Sequence, residues 1–320
     1  MTSSMETVRE SVVNLLGGVV DYAGLFPPAK LEMRPTCENF AAYLESEHEW
    51  MLGRLIVPVS RLGEFEKAAE DLMARGEDAE NSWLISALVG EDLESDIDAI
   101  FEFNERHATE DEGGEGAANG YAVVDVIEAR ASSTAEIDAI LAKVPEQIEA
   151  FIELPWDAEI RGLVAAIGGD SSSGASAKIR TGHVKPELIP SVEAVARFIC
   201  TCAQAGVPFK ATAGLHHPIR AEYNLTYEPD SPRAVMHGYL NVFVASAMAH
   251  ARRADEAAVR AMLEETDASR FVFENESLRW DELSVTSEQL VSCRERFAIS
   301  FGSCSFTEPT EELERLGLFA

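Results

Sequence analysis

Eight short apolar runs of strand length alternate along this chain with longer amphipathic stretches. That alternation is typical of βα units joined into a parallel sheet. The runs are residues 19–23, 54–59, 83–89, 121–127, 150–154, 177–181, 209–213 and 298–302. Helices are predicted over residues 64–75, 93–106, 135–142, 187–205, 233–252 and 311–316. The pattern therefore predicts an α/β fold of the (β/α)8 TIM-barrel type, with its functional site at the carboxyl ends of the strands.

The length suits one such barrel. A chain of 320 residues with 46% hydrophobic content can bury a full core, and no long linker divides it, so we expect a single domain over residues 1–320. Residues 110–120, rich in glycine and acid, are predicted to form a solvated loop. Residues 215–296 form an extended insertion between strands 7 and 8, which predicts a lid, an added helix pair or an oligomer surface, and a homo-oligomer is possible.

Acidic residues dominate the charge. The chain has 56 Asp and Glu against 26 Lys and Arg, a formal net charge of −30. Such a charge disfavours nucleic acid or an anionic membrane as a partner. Two interpretations stay open: an ordinary acidic cytosolic protein, or a halophilic protein from a host with high internal salt, where screening makes the charge tolerable.

The cysteines and the amino-terminal sequence indicate a cytoplasmic protein. The five cysteines have no disulfide or metal-ligand spacing, and an odd number suits a reducing compartment: Cys37, Cys200, Cys202, Cys293 and Cys304. Cys304 has no base beside it in sequence, which argues against a nucleophilic thiol. No signal peptide or transmembrane segment is visible, because the apolar stretch at residues 12–20 is short and interrupted by glycine.

Two of only six lysines lie in predicted strands, and each is followed four residues later by a glycine. They are Lys178, before Gly182, and Lys210, before Gly214. Equal offsets on neighbouring strands can bring both side chains into one cavity. Two ammonium groups about 4 Å apart repel by roughly 4 kcal/mol at an effective dielectric of 20, which is about three pKa units and would produce a nucleophilic amine. Alternatively, a lysine points outward or pairs with a carboxylate such as Glu153.

Five segments, in order, resemble motifs of the deoxyribose-phosphate aldolase family. Residues 21–29 (Asp-Tyr-Ala-Gly-Leu-Phe-Pro-Pro-Ala) are similar to its Asp-His-Thr-x-Leu-x-Pro-x-Ala opening. Residues 124–127 (Val-Asp-Val-Ile) resemble its aspartate strand, and residues 178–182 (Lys-Ile-Arg-Thr-Gly) its Lys-Thr-Ser-Thr-Gly. Residues 209–214 (Phe-Lys-Ala-Thr-Ala-Gly) resemble its Val-Lys-Ala-Ser-Gly-Gly, and residues 301–305 (Phe-Gly-Ser-Cys-Ser) its Phe-Gly-Ala-Ser-Ser.

The resemblance implies a class I aldolase that uses no cofactor and acts on a small carbonyl compound. Lys178 would form the Schiff base and Lys210 would lower its pKa. Asp125 would relay protons, and Asp21 would lie near the substrate hydroxyls or order the lysine pair. The chain departs from the family where Ala213 replaces a glycine and where residues 215–218 (Leu-His-His-Pro) replace the following basic residue. Those departures favour an unphosphorylated substrate, or one bound partly by imidazole.

Substrate-binding candidates lie beside these positions: Glu153, Arg180, Thr181, Gly214, His216, His217, Ser303 and Ser305. The glycine and the hydroxyl residues of segment 301–305 have two interpretations. They offer hydrogen-bond donors where barrels often hold phosphate, or they form a tight turn before the last helix.

Three functions remain in view. The first is a Schiff-base aldolase or lyase that acts through Lys178. The second is a metal-assisted hydrolase or lyase that uses His216, His217 and Glu153, with His183 and His237 nearby. Because their spacing matches no compact ligand motif, we expect no metal. The third is a barrel without catalysis that binds a ligand or a partner.

Overall fold

A closed barrel of eight parallel strands forms the centre of the computed structural model, which describes residues 8–75, 81–108, 119–169 and 175–318. The barrel strands are β1 (Val20–Tyr22), β2 (Leu52–Pro58), β3 (Trp83–Leu88), β4 (Ala122–Arg130), β5 (Glu149–Leu154), β6 (Ala175–Arg180), β7 (Phe209–Thr212) and β13 (Ala298–Ser303). β13 closes the barrel between β7 and β1. Each predicted strand coincides with one of these eight, and the (β/α)8 prediction is confirmed.

Helices alternate with the strands over the described residues. They are α1 (Glu10–Leu16), α2 (Met33–Leu44), α3 (Leu62–Ala69), α4 (Leu93–Arg106), α5 (Thr134–Leu141), α6 (Ile160–Gly168), α7 (Val192–Ala205), α8 (Tyr239–His250), α9 (Glu256–Glu264), α10 (Ser287–Arg296) and α11 (Thr307–Arg315). The helix predicted from residue 187 begins only at Val192, because Pro190 precedes it and the Ser191 side chain caps the Ala194 N–H.

The connection from β7 to β13 contains two small sheets besides its helices. A hairpin of β8 (Ala221–Asn224) and β9 (Arg233–Met236) comes first. After α8 and α9, a three-stranded antiparallel sheet follows, made of β10 (Phe271–Phe273), β11 (Ser277–Trp280) and β12 (Leu283–Thr286). The prediction of a helix over residues 233–252 is therefore wrong for its first residues. Residues 233–236 form a strand that pairs with β8, and the helix begins after Gly238.

α8 is buried on every side. All residues from Tyr239 to Ala249 are buried, as expected for a helix that is apolar all round. Tyr239 stacks on Phe301 of β13 with ring centroids 5.2 Å apart, and Phe243 packs on the same ring at 5.7 Å. Each such ring contributes on the order of 2 kcal/mol through burial. α8 thereby holds β13 against the rest of the barrel.

One segment, Pro186–Ala205, is long and apolar enough in composition to cross a membrane, with a mean hydropathy of 1.2. It includes α7, and half of it is buried inside the protein, so it is weak evidence for a membrane span. Residues 109–118, which contain most of the predicted acidic loop, lie outside the described residues.

Candidate active site

Parallel pairing of β5, β6 and β7 places three charged side chains in one row. Glu153 is in register with Lys178, and Lys178 is in register with Lys210. Residues in register on neighbouring strands point to the same face of a sheet. The Lys210 ammonium lies 5.3 Å from the ring centroid of Phe151, which precedes Glu153 by two residues on β5 and shares its face. All three charged side chains therefore point into the barrel.

The two glycines that follow the lysines touch each other. A Cβ on Gly182 would lie 2.5 Å from the Gly214 Cα, and one on Gly214 would lie 2.6 Å from the Gly182 Cα. Gly214 has a φ of +77°, and the preceding Ala213 has a φ of +59°. A non-glycine residue in this left-handed region is strained. The repeated Lys-x-x-x-Gly spacing therefore reflects the close approach of two strand ends, which keeps both lysines at one height.

A single carboxylate on β4, that of Glu128, bridges the two lysines. Its Oε2 is 2.7 Å from the Lys178 Nζ, and its Oε1 accepts a hydrogen bond of 2.6 Å from the Lys210 Nζ. Ser86 of β3 donates to the same Oε1 at 2.8 Å. Lys178 also forms a 2.7 Å ion pair with Glu153. Each ammonium group is thus compensated by carboxylates rather than left facing the other ammonium alone.

Asp125 does not reach the lysine pair. It holds the Arg54 guanidinium through bonds of 2.8 and 2.6 Å, nearer the amino-terminal end of the barrel. The pairing of β4 with β3 shifts register between Val124 and Val126, so one extra residue enters β4 there. Because of that irregularity, side chains three residues apart can both point inward. Glu128 occupies the position near the lysines that was expected for Asp125.

Lys210 lies beneath the cavity and is completely buried. It donates a second hydrogen bond, of 2.6 Å, to Asp21 Oδ2. Asp21 is fixed in turn by the Ser300 hydroxyl at 2.7 Å and the Arg54 backbone N–H at 2.9 Å. Burial alone would lower the pKa of Lys210, but the negative charges of Asp21 and Glu128 outweigh it and raise that pKa. Of the two predicted roles of Asp21, its geometry fits the ordering of the lysine pair.

The carboxylates of the site stay ionised at neutral pH. Burial alone would raise the pKa of Glu128, but the charges of Lys178 and Lys210 hold it well below its usual range. The pKa of Glu153 is lowered in the same way, because Lys178 and Arg180 outweigh the effect of its burial. Both groups therefore compensate the Lys178 ammonium as carboxylates. They can relay a proton from the Lys178 nitrogen, but the lowered pKa makes each a weaker base than a free glutamate.

A cavity of about 770 Å³ opens above Lys178 and Glu128 at the carboxyl ends of the strands. This size suits a small organic molecule. The β8–β9 hairpin lines one side of it, so part of the predicted insertion does cover the barrel mouth. Arginine side chains add positive charge to the wall: Arg130, Arg180 and Arg233.

Some of the candidates predicted from sequence line this cavity: Lys178, Arg180, Gly214, His216 and His217. Other predicted residues do not line the cavity but hold the segments around it. The Thr181 hydroxyl donates to the Ala213 carbonyl at 2.7 Å and so joins two strand ends. Ser303 Oγ lies 3.4 Å from His216 Nδ1, while Ser305 Oγ accepts the Glu308 N–H at 3.2 Å at the start of α11. The Ser305 hydroxyl therefore takes part in the turn before the last helix.

The three residues of the metal hypothesis do not meet. His216 Nδ1 is 3.0 Å from Glu308, His217 Nδ1 is 2.9 Å from Glu312, and Glu153 pairs with Lys178. Across the described residues, only one group of three His, Cys, Asp or Glu residues has its ligand atoms within 4.8 Å of one another. It is Glu47, His48 and Glu314, none of which lines the cavity. The geometry gives the metal-assisted alternative no support.

Sequence reasoning missed Glu128, Arg130 and the hairpin residue Tyr227, all of which line the cavity. A signal for the first two was present, since both lie near the carboxyl end of a predicted strand, where barrel sites are found. No comparable signal marked Tyr227, because residues 221–236 were not recognised as a hairpin.

Comparisons of this chain with protein-family models, with curated proteins and with solved structures found no match. The resemblance to deoxyribose-phosphate aldolases therefore depends on the five sequence motifs and on the barrel fold that they accompany.

Proposed function

We propose that the protein is a Schiff-base-forming lyase that cleaves or forms a carbon–carbon bond next to the carbonyl group of a small substrate. The observation that carries this proposal is the placement of Lys178. Among the residues that the structure describes, it is the one lysine that lines the cavity, and its nitrogen lies 2.7 Å from two carboxylates. A nearly buried amine with proton acceptors beside it suits covalent chemistry with carbonyl compounds.

The order of the motifs supports the same proposal. The five segments that resemble the aldolase family coincide with or adjoin β1, β4, β6, β7 and β13. β13, β7 and β6 are consecutive neighbours in the barrel, so the two lysine segments and the Phe-Gly-Ser-Cys-Ser segment meet at one part of its rim. This is the part of a TIM barrel where active sites are built.

The proposed reaction begins when Lys178 gives a proton to Glu128 or Glu153. The free amine adds to the substrate carbonyl, the carboxyl group returns its proton to the carbonyl oxygen, the oxygen leaves as water, and an iminium forms. The iminium withdraws electrons as the neighbouring carbon–carbon bond breaks, and a carboxylate takes the proton of the hydroxyl group on the departing fragment, which leaves as a carbonyl compound. The enamine left on Lys178 takes that proton on carbon, and water hydrolyses the resulting iminium to release the second product and the Lys178 amine. Lys210 holds Glu128 in place and keeps it ionised, while Asp21 anchors Lys210.

The charge of the cavity wall favours a carbonyl substrate that also carries a carboxylate, such as a keto acid. Arg180 and Arg130 both approach Glu153, with nitrogen–oxygen distances of 3.5 and 3.3 Å, and their planar guanidinium groups suit a carboxylate. Gly214 packs against Gly182 and the Ser305 hydroxyl accepts the Glu308 N–H, so neither is arranged as a dedicated phosphate donor.

Borohydride trapping tests the proposal. The protein is incubated with a panel of keto acids, aldehydes and sugar phosphates, reduced, and analysed by intact mass and peptide mapping. We expect one reduced adduct on Lys178 with a keto acid. Lys178→Ala should abolish both the adduct and turnover, because an alanine cannot form an imine.

The matched control is Lys143→Ala, which removes a half-exposed lysine that pairs with Glu94 away from the cavity. It should leave trapping unchanged. A panel that yields no adduct on Lys178, together with turnover that survives Lys178→Ala, would refute the Schiff-base lyase. Neither an adduct nor turnover with any compound of the panel would favour a binding barrel without catalysis.

A further inference from the structure

A thiol, an imidazole and a carboxylate from three separate segments meet at one side of the cavity. Cys304 follows β13, His216 follows β7, and Glu308 lies in the first turn of α11. The Cys304 Sγ is 3.9 Å from His216 Nε2, and His216 Nδ1 is 3.0 Å from Glu308 Oε2. The thiol and the carboxylate thus contact opposite nitrogens of one ring, as a nucleophile and an orienting group do around a catalytic base.

Tyr227 of the hairpin completes this cluster. Its hydroxyl donates to Glu308 Oε2 at 3.0 Å and lies 3.7 Å from the Cys304 Sγ. Cys304 is only 5% exposed, yet it lines the cavity together with His216, Glu308 and Tyr227. A small molecule in the cavity can therefore reach the sulfur although bulk solvent barely does.

The amino terminus of α11 and the His216 ring both lie beside the Cys304 sulfur. α11 begins three residues after Cys304, and the amino terminus of a helix favours negative charge. Burial alone would lower the pKa of His216, but its interactions with Cys304 and Glu308 raise that pKa to about 10. Tyr22 and Tyr43 also face the sulfur, and burial raises the pKa of both, so they stay neutral. His216 is thus the protonated group beside the thiol at neutral pH.

The other four cysteines lie in different surroundings. They are buried within helices and do not line the cavity: Cys37, Cys200, Cys202 and Cys293. Burial raises the pKa of Cys37 to about 12, that of Cys200 to about 11 and that of Cys293 to about 12. Such thiols react slowly, and they serve as internal controls for Cys304.

We propose that Cys304 is a catalytic nucleophile that accepts the acyl group of a small ester or thioester bound in the cavity, with His216 as its acid–base partner and Glu308 orienting His216. This activity is separate from the imine chemistry proposed for Lys178. The sequence near Cys304 contains no base, because His216 follows a different strand, β7. The fold brings the two residues together because β7 and β13 are neighbours in the barrel.

The reaction needs no external oxidant or cofactor. The Cys304 thiolate attacks the acyl carbonyl, a sulfur–carbon bond forms, and the bond to the leaving alcohol or thiol breaks. His216 Nε2 gives its proton to the leaving group. Water then attacks the thioester while the neutral His216 takes a proton from it, which releases the carboxylic acid and restores the thiolate and the imidazolium.

Acylation with p-nitrophenyl acetate tests this site. Nitrophenolate release is followed in a single turnover at pH 7, and the acetyl group is located by intact mass and peptide mapping. We expect one acetyl group on Cys304, removable by neutral hydroxylamine as a thioester is. Cys304→Ala should remove the fast phase, His216→Gln should slow it about 100-fold or more, and the matched variant Cys200→Ala should leave it unchanged.

Besides missing acetylation of Cys304, two results would overturn the proposal. One is acetylation of Cys304 that is no faster in the native protein than in the urea-unfolded chain. The other is wild-type acetylation in folded His216→Gln, or in folded Glu308→Gln if the first variant does not fold. The two proposed activities fail separately, since missing acetylation at Cys304 refutes the acyl chemistry and a missing borohydride adduct at Lys178 refutes the lyase.

Discussion

At the scale of single residues, the contacts of Glu128 explain how two lysines can be buried side by side. Its two oxygens each touch one ammonium group, and Asp21 and Glu153 supply a further carboxylate to each lysine. Removing one partner from such a buried network leaves an uncompensated charge, which typically costs 3–5 kcal/mol. The arrangement therefore depends on precise strand placement.

The contact between Gly182 and Gly214 supplies that placement and leads to a stability prediction. Gly182→Ala would place a methyl group 2.5 Å from a backbone Cα, where neither strand end can yield cheaply. We expect a loss of about 2 kcal/mol or more in the free energy of unfolding.

Urea unfolding measures this change against a matched control. Gly162→Ala lies in α6, where an added Cβ meets nothing within 4 Å, so it should stabilise the protein by about 0.5–1 kcal/mol. Equal effects of the two substitutions would show that the glycine contact does not constrain the barrel.

At the scale of elements, the β8–β9 hairpin covers the cavity and is held at its end by a buried histidine. His237, just after β9, is hydrogen-bonded through Nε2 to the Pro190 carbonyl at 2.9 Å, immediately before α7. Burial, together with the nearby Arg220, lowers the pKa of His237 from its ordinary value of 6.5 to about 4, although the hydrogen bond to the Pro190 carbonyl raises it. The buried position of His237 thus favours a neutral ring in the native protein.

This contact predicts a pH dependence of stability. Between pH 6.5 and about 4 the unfolded chain binds a proton at His237 and the native protein does not, so the contribution is present above pH 6.5 and is lost as the pH falls through that window. One pKa unit corresponds to about 1.4 kcal/mol, which makes the expected loss about 3 kcal/mol.

His237→Gln keeps a donor for Pro190 but cannot titrate. Its unfolding free energy should therefore fall less between pH 6.5 and pH 4 than that of the wild type, as measured by chemical denaturation at each pH. Parallel curves for the two proteins would contradict the assigned state of His237.

At the scale of the whole molecule, the chain has a formal net charge of −30. Of the acidic residues that the structure describes, only Asp21 and Glu128 are buried. Like charges at this density repel one another in dilute buffer and destabilise the compact state.

If the acidity reflects a halophilic host, the melting temperature should rise with potassium chloride well beyond 1 M. Simple screening is already nearly complete there, because the Debye length is about 3 Å. A thermal melt series from low to molar salt measures the effect, and a non-ionic osmolyte at equal osmolality is the control. A melting temperature that does not respond to molar salt would leave an ordinary acidic protein as the interpretation.

The barrel could be predicted from the sequence because its strands are apolar runs whose period and length are local properties. The shared interior position of the two lysines followed from equal offsets to glycine. Glu128 could not be chosen over Asp125 in the same way, because the irregularity in β4 breaks the strict alternation of side chains. Which side chains of β4 point inward depends on how β4 pairs with β3, and strand pairing cannot be read from the local sequence.

The thiol cluster shows a second limit. Cys304, His216 and Glu308 come from segments up to 92 residues apart, and only barrel closure makes them neighbours. The repulsion argument likewise considered the ammonium groups alone. Its alternative, a lysine paired with Glu153, is what Lys178 shows, but Glu128 was not named from the sequence. Local patterns therefore predicted the framework and some of its reactive groups, while the partners of those groups required the fold.

The hairpin has a consequence for how this protein can diversify. Lys178, Lys210 and Glu128 belong to barrel strands, whereas one continuous stretch, residues 221–236, forms a side of the cavity. Insertions or exchanges within that stretch would remodel which molecules enter without moving a strand. Entry to the cavity and the lysine network beneath it thus lie on separate parts of the chain, and grafted hairpins offer a direct route to new ligand ranges on an unchanged barrel.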